Sequence, residues 1–98
     1  MDLKNARILL TGASGGLGQE LARQLNDAGA ALLLAGRDQG RLAALSTSLG
    51  TGVASVCADL GRPAGVVALA GAAREFGINV LINNAGVGAF GLFESQDW

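Results

Sequence analysis

Short apolar runs and segments with helical apolar spacing alternate along this 98-residue chain. The short runs end at glycine or at polar residues, which is typical of strands. Valine, isoleucine, leucine and alanine predominate in them, so we expect strands that are apolar on both sides and covered by other elements. The predicted strands cover residues 7–10, 31–35, 53–58 and 80–82.

The segments between the predicted strands have the apolar spacing of helices. Leu17, Leu21 and Leu25 recur every four residues, which places them on one helical face. Gly29 follows as a stop signal, since glycine commonly ends helices. The predicted helices cover residues 16–28, 39–49 and 63–76.

The third predicted helix begins at Pro63, which suits a first helical turn because proline loses no helical hydrogen bond there. Its buried side is expected to comprise Val66, Val67 and residues 69–73. The tail over residues 94–98 predicts the first turn of a further helix.

Strands that alternate with helices predict βαβ units and a parallel sheet. Right-handed crossovers between parallel strands then place helices on both faces of that sheet. We therefore predict an α/β fold of the Rossmann type. The predicted fold is a partial, doubly wound parallel sheet of about four strands with flanking helices.

Composition and charge exclude several classes of function. A net charge of −1 gives no basic field that would attract nucleic acid or an anionic membrane. No apolar run approaches the ~20 residues of a membrane span, and no signal-peptide core follows Met1. The chain has one cysteine, Cys57, and no histidine, so we expect no metal site and a reducing, cytoplasmic setting.

A glycine-rich loop joins the first predicted strand to the first predicted helix. Its sequence over residues 11–18 is Thr-Gly-Ala-Ser-Gly-Gly-Leu-Gly. Free N–H groups and the positive end of the helix dipole face such a loop, which predicts an anion site. Glycine lets a pyrophosphate approach the backbone. No Lys-Ser or Lys-Thr pair follows, which excludes a mononucleotide P-loop.

Two motifs make the chain resemble the short-chain dehydrogenase/reductase family. The loop has the spacing T-G-x-x-x-G-x-G, and N-N-A-G follows the fourth predicted strand over residues 83–86. Both lie where open α/β sheets bind ligands, at the carboxyl ends of strands. The G-x-x-G-x-x-G spacing of extended relatives such as sugar epimerases does not fit. The resemblance covers residues 6–98.

The resemblance implies a dinucleotide cofactor and the residues that contact it. Asp59, with Leu60 beside it, takes the place of the family's adenine-contacting aspartate. The whole chain, residues 1–98, is accordingly expected to be one truncated NAD(P)-binding Rossmann domain. The implied cofactor-binding residues are Thr11, Gly12, Ser14, Gly16, Leu17, Gly18, Arg37, Asp59, Leu60, Asn83, Ala85 and Gly86.

The end of the second predicted strand bears on the choice between NAD and NADP. Gly36 stands where NAD-using relatives carry an acid, and Arg37, whose guanidinium suits a 2′-phosphate, follows it. Ser14 adds a hydroxyl donor, whereas Gly15 replaces a basic residue often found in the family's loop. Asp38 leaves two alternatives open, since it could pair with Arg37 or approach the ribose. We predict NADP(H), with NAD less favoured.

The resemblance also implies catalytic groups that this sequence lacks. The family's Tyr-x-x-x-Lys supplies acid–base chemistry during hydride transfer, but the chain has no tyrosine. No catalytic residue is predicted, and the 98-residue chain is expected to be inactive alone. We predict the cofactor-binding portion of an NADP(H)-dependent oxidoreductase that acts on an alcohol or carbonyl substrate, which it would bind only with the missing half. The alternative is a non-catalytic dinucleotide-binding or interaction module.

The partial sheet also predicts an exposed edge. In the family's strand order, the strand over residues 80–82 would be interior, but here no further strand is predicted to cover it. Uncovered apolar edges pair with other chains, so self-association is expected.

Overall fold

Strands and helices alternate in the computed structural model, which describes residues 3–50 and 52–84. The α/β prediction is confirmed, and every predicted element in this part of the chain is present to within one residue at each end. The predicted helical turn over residues 94–98 lies outside the described residues. The strands are β1 (Arg7–Leu10), β2 (Ala31–Gly36), β3 (Val53–Cys57) and β4 (Val80–Ile82), and the helices are α1 (Gly16–Asp27), α2 (Gln39–Leu49) and α3 (Pro63–Phe76).

The strands form one parallel sheet in the order β3-β2-β1-β4. Strand β1 is interior, and Leu9 faces Leu33 of β2 on one side and Leu81 of β4 on the other. Within the described residues β4 pairs with β1 alone, and Val80 is 40% exposed. Among the described strands, β4 therefore lies at an edge of the sheet.

Alternate residues of β1 and β2 face two separate hydrophobic cores, because successive side chains of a strand point to opposite faces. One core joins the strands to α1 and α2, and the other joins them to α3, so helices cover both faces of the sheet as predicted. The first core contains Ile8, Leu10, Leu32 and Leu34 with Ala22, Leu42 and Leu45. The second contains Leu9, Leu33, Ala35 and Leu69.

The burial prediction was wrong for part of α3 and for β3. Val67 is 71% exposed and Ala70 is exposed, while Leu69 is the fully buried residue of the helix. A continuous apolar run passes all the way round a helix, so only one stripe of it can face the sheet. Strand β3 is half-buried or exposed throughout, because it lies at the other edge of the described sheet.

Glycine lies at the end of each described helix. Gly29, the stop predicted for α1, has φ +98° and follows the C-cap Ala28, and Gly50 is the C-cap of α2. Gly77 caps α3 in the left-handed region with φ +76°, which favours glycine. Among the described residues, none of the helices is both long and apolar enough to span a membrane.

Candidate functional site

An open cleft of about 1110 Å³ lies at the carboxyl ends of the parallel strands. Its walls are the β1–α1 loop, the junction of β2 with α2, and the loop from β3 to α3. Such a position, between loops at the carboxyl ends of strands, is where open α/β sheets bind ligands. The predicted site residues that line the cleft are Gly12, Ser14, Gly16, Leu17, Gly18, Arg37, Asp59 and Leu60.

The glycine loop presents free backbone donors to this cleft. Helix α1 has Gly15 as its N-cap and receives no side-chain cap. The first helical N–H with an intrachain acceptor belongs to Gln19, which donates to the Gly15 carbonyl at 2.9 Å. In the described part of the chain the N–H groups of residues 16–18 have no acceptor. Uncapped N–H groups and the positive end of the helix dipole are the features that favour an anion at such a turn.

The loop reaches this position through a sharp turn at Gly12. Gly12 has φ +65°, a conformation that favours glycine. The turn lets the next N–H, of Ala13, donate to the Ala35 carbonyl at 3.0 Å, which fastens the loop to β2. The side-chain amide of Gln19 also donates to the Ser14 carbonyl at 3.0 Å. The loop is therefore held from both sides.

Gly16 and Gly18 meet different surroundings. A Cβ added at Gly18 would overlap the Gly12 carbonyl oxygen and lie 2.8 Å from the Ala13 Cα, so the loop lies directly against the helix there. A Cβ added at Gly16 would meet nothing within 4 Å. Gly18 is therefore required by the fold, while the space beside Gly16 is open toward the cleft.

Leu17 lies between these glycines and is 67% exposed, although Leu21 and Leu25 on the same helical face are half-buried. The spacing alone suggested that all three leucines pack alike. Leu17 differs because the first turn of α1 borders the cleft instead of the core. Its exposed apolar side chain is therefore part of the site surface.

Thr11 joins the glycine loop to the motif after β4. It is fully buried, and its hydroxyl donates to Oδ1 of Asn83 at 2.9 Å while accepting from the N–H of Asn84 at 3.0 Å. Thr11 and Asn83, both predicted cofactor residues, are absent from the cleft lining, whereas Asn84 is part of it. Their observed role is to hold the two motifs together.

Several cleft residues were missing from the prediction. Asn84 belongs to the N-N-A-G motif, so the motif itself was the signal that could have identified it. Its side-chain amide is 3.5 Å from the Gly12 carbonyl oxygen. Ala85 and Gly86, the other two residues of that motif, lie outside the described residues. Gln39, Ala58 and Gly61 line the cleft through loop geometry that no local pattern indicated.

The end of β2 brings Ser14, Gly36 and Arg37 to one side of the cleft. A Cβ added at Gly36 would lie 2.9 Å from Oγ of Ser14, so the glycine makes room for the serine hydroxyl. Arg37 is exposed. Its backbone carbonyl accepts from the Cys57 thiol at 3.3 Å, which ties the turn to β3. The guanidinium has no polar partner among the described residues.

The side chain of Asp38 interacts with the first turn of α2. Asp38 is the N-cap of that helix, where Oδ1 accepts from the N–H of Arg41 at 3.0 Å. Its other oxygen lies 3.5 Å from Nε of Arg41. Of the alternatives left open by the sequence, pairing of Asp38 with Arg37 is therefore wrong, because Asp38 pairs with Arg41 instead.

Asp59 and Leu60 form the opposite wall. Oδ1 of Asp59 accepts from the N–H of Gly61 at 2.9 Å, and Oδ2 lies 3.3 Å from Nε of Arg62. Leu60 packs against the core beneath α3. Asp59 is half-exposed at the cleft, where a carboxylate with spare lone pairs can accept a hydrogen bond from a ligand.

Comparison with known proteins places the chain within one family. The model of the family described as short chain dehydrogenase matches residues 6–98. A relative in Bos taurus, dehydrogenase/reductase SDR family member 7B, is 42% identical over 99 residues. That match covers 87% of this chain and 30% of the relative.

Solved structures agree in fold. A 3-ketoacyl-(acyl-carrier-protein) reductase from Brucella melitensis, complexed with NADH, has a TM-score of 0.74 at 28% identity, over 82% of this chain and 34% of that one. An RhlG/NADP active-site complex from Pseudomonas aeruginosa has a TM-score of 0.72 at 38% identity, over 83% of this chain and 35% of that one. The chain thus spans about a third of the length of these proteins, and they include both cofactor types.

Proposed function

The chain belongs to the short-chain dehydrogenase/reductase family, and from this membership we propose that it is the cofactor-binding part of an NADP(H)-dependent oxidoreductase acting on an alcohol or carbonyl group. One observation carries the cofactor preference: the Arg37 guanidinium lines the cleft without an ion-pair partner among the described residues, because the neighbouring Asp38 pairs with Arg41. The family in general uses NAD or NADP. The preference for NADP is our inference from this side of the cleft.

The residues of the cleft fit a dinucleotide. The N–H groups of residues 16–18 are uncapped and can hold a pyrophosphate. The space beside Gly16 is open to receive it. Asp59 offers an acceptor for the adenine amino group at the opposite wall. When bound, the nicotinamide supplies or accepts the hydride, and this chain's own residues bind and orient the cofactor.

The charges beside Gly36 favour a 2′-phosphate over a 2′-hydroxyl. An acid at the end of β2 would accept from a ribose hydroxyl and repel a phosphate, but Gly36 has no side chain. Arg37 supplies a planar cation, and the Ser14 hydroxyl lies next to Gly36. Asp38 caps α2 and pairs with Arg41, so that Arg37, Asp38 and Arg41 together keep a net charge of +1 on this side of the cleft.

Replacement of Arg37 tests this preference. Arg37→Ala removes the cation, so we expect NADPH to bind about 10- to 100-fold more weakly, the usual effect of losing a charge-assisted hydrogen bond. NADH should be unaffected, since it has no 2′-phosphate. Isothermal titration with both cofactors measures the two affinities. Arg23→Ala is the matched control, because Arg23 is an exposed arginine of α1 outside the cleft lining. Equal loss for both cofactors would contradict the phosphate assignment.

A non-catalytic dinucleotide-binding module is the second candidate, because the cleft can hold a dinucleotide without the family's catalytic tyrosine. The family's acid–base chemistry depends on that residue. The intact mass of the natural gene product separates the two candidates. A mass well above 9.8 kDa with a Tyr-x-x-x-Lys in the added sequence supports the oxidoreductase. A mass of 9.8 kDa supports the module. In either case the exposed free thiol of Cys57 fits a reducing compartment, and we propose the cytoplasm.

A further inference from the structure

The first turn of α3 touches the backbone of Asp59 at Gly65. A Cβ added at Gly65 would overlap the Asp59 carbonyl oxygen and would lie 2.7 Å from its carbonyl carbon and 3.0 Å from its nitrogen. All three contacts are with backbone, which cannot rotate aside as a side chain can. Non-bonded carbon atoms prefer separations of about 3.5–4.0 Å. Any side chain at position 65 would therefore push the Asp59 backbone or the helix away.

Another glycine of the same helix shows that this closeness is local. A Cβ added at Gly71 meets nothing within 4 Å. Each of the two glycines makes the helical conformation of α3 less favourable by about 1 kcal/mol relative to alanine. The structure gives a steric reason for glycine at position 65 and none at position 71.

The same turn also fixes the Asp59 carboxylate. The N–H of Gly61 and the guanidinium of Arg62 each hold one carboxylate oxygen. The Asp59 carbonyl accepts from the N–H of Arg62 at 3.1 Å, and the Arg62 carbonyl accepts from the N–H of Gly65 at 3.0 Å. Two backbone hydrogen bonds through Arg62 thus connect Asp59 to Gly65, the residue at which α3 lies against the Asp59 backbone. A side chain at position 65 that displaced the Asp59 backbone would therefore displace its carboxylate as well.

We propose that Gly65 is a positioning residue for base recognition, because the contact of α3 with the Asp59 backbone sets where the Asp59 carboxylate meets the base of the cofactor. The proposal rests on the proposed function, in which this wall holds the adenine of NADP. Gly65 does not line the cleft and acts through Asp59. The chemistry recognised is an exocyclic amino group, a donor that matches a carboxylate acceptor.

A base-modified cofactor gives the direct test. Nicotinamide hypoxanthine dinucleotide phosphate differs from NADP in having a carbonyl oxygen where adenine has its amino group. We expect the chain to bind NADP about tenfold more tightly than this analogue, the scale of one hydrogen bond to a charged group. Isothermal titration of both ligands gives a discrimination ratio. A merely structural loss of stability would not change that ratio, because both ligands bind the same folded chain.

Four variants read out the proposal. Asp59→Ala should bring the ratio close to one, and Gly65→Ala should bring it below about threefold by moving the carboxylate from the base. Gly71→Ala, the matched control outside the site, should keep the ratio of the original chain. Arg62→Ala, an exposed residue whose loss leaves the core intact, should lower the ratio part of the way. If Gly65→Ala does not fold, Arg62→Ala tests whether the first turn of α3 positions the Asp59 carboxylate.

The outcomes distinguish a failure of the proposed NADP binding from a failure of the proposed role of Gly65. If neither NADP nor its analogue binds the folded chain, the proposed function fails and this inference with it. If both bind and Asp59→Ala lowers the ratio while Gly65→Ala, folded, keeps it, the cofactor site stands and the role of Gly65 is overturned. If Gly65→Ala is unfolded and Arg62→Ala keeps the full ratio, the role of the α3 turn is likewise overturned.

Discussion

At the scale of single residues, Gly16 and Gly18 are two positions apart in one motif and are glycine for different reasons. Gly18 lets the loop backbone rest on α1, since any side chain there would overlap the Gly12 carbonyl. Gly16 borders open space at the cleft. One glycine is needed for the loop to fold, and the other is needed only when a ligand is present.

This difference makes Gly16→Val a clean test of the binding role. The variant should keep its thermal midpoint within about 4 °C, the shift expected for less than 1 kcal/mol in a chain of this size. It should lose measurable NADPH binding, because the valine side chain would occupy the space for the pyrophosphate. Thermal unfolding by circular dichroism and titration with NADPH give the two values.

Gly18→Val is the comparison for that experiment. It should lower the thermal midpoint strongly, since the loop must shift to accommodate the side chain. NADPH binding by Gly16→Val at the affinity of the original chain would contradict the pyrophosphate assignment.

The sequence could indicate that both glycines matter, but not that they differ. The motif spacing identified the loop, and Arg37 and Asp59 were found from their places after β2 and β3. The contact of Gly18 with Gly12, and that of Gly65 with Asp59, depend on how a helix lies on a loop. The sequence also could not identify the partner of Asp38, because Arg37 and Arg41 are both close enough along the chain to pair with it.

At the scale of elements, two helices border the cleft, and only one of them has a side-chain cap at its N-terminus. Helix α1 has no side-chain cap and leaves its N–H groups to a ligand, whereas α2 has the carboxylate of Asp38 as a cap. A helix N-terminus can hold an internal acceptor or an external anion, but its N–H groups cannot serve both fully. We therefore propose that the pyrophosphate binds at the N-terminus of α1.

The cap of α2 can be tested by its effect on stability. Asp38→Ala should lower the free energy of unfolding by about 1 kcal/mol, because the N–H of Arg41 loses its acceptor. Asp38→Asn keeps a capping oxygen and should remain close to the original stability. Urea unfolding followed by circular dichroism measures both variants. Equal stability of the alanine and asparagine variants would show that the cap contributes nothing.

Element bounds were predictable because each apolar run ends at glycine or a polar residue, but burial within α3 was not. Residues 69–73 read as a continuous apolar stretch, and a sequence cannot show which stripe of it faces the sheet. Val67 and Ala70 lie on the outer side of the helix, and Leu69 alone is fully buried. The choice follows from how α3 packs on Leu9 and Leu33 of the sheet.

At the scale of the whole molecule, the sheet has cores on both faces and an apolar strand at its edge. Strand β4 is half-buried or exposed and pairs with β1 alone within the described residues. Exposed edges with free N–H and C=O groups are templates for pairing with another chain. We therefore propose that the 98-residue chain self-associates through β4.

A charge on this edge should suppress the association. Val80→Lys places a lysine at the most exposed position of β4, and lysine on an edge strand is a common barrier to pairing. Light scattering over a range of concentrations should show a mass that rises for the original chain and stays monomeric for the variant. A concentration-independent monomer of the original chain would contradict the proposal.

Calorimetric titration of the 98-residue chain with NADPH is the measurement that decides whether the cleft at the carboxyl ends of the strands binds NADP(H). We expect saturable binding with one NADPH per chain, tighter than that of NADH. We also expect this binding to be lost in Gly16→Val. A folded chain that gives no binding signal at ~1 mM NADPH, a concentration that would detect interactions of about −4 kcal/mol, would contradict the proposed binding.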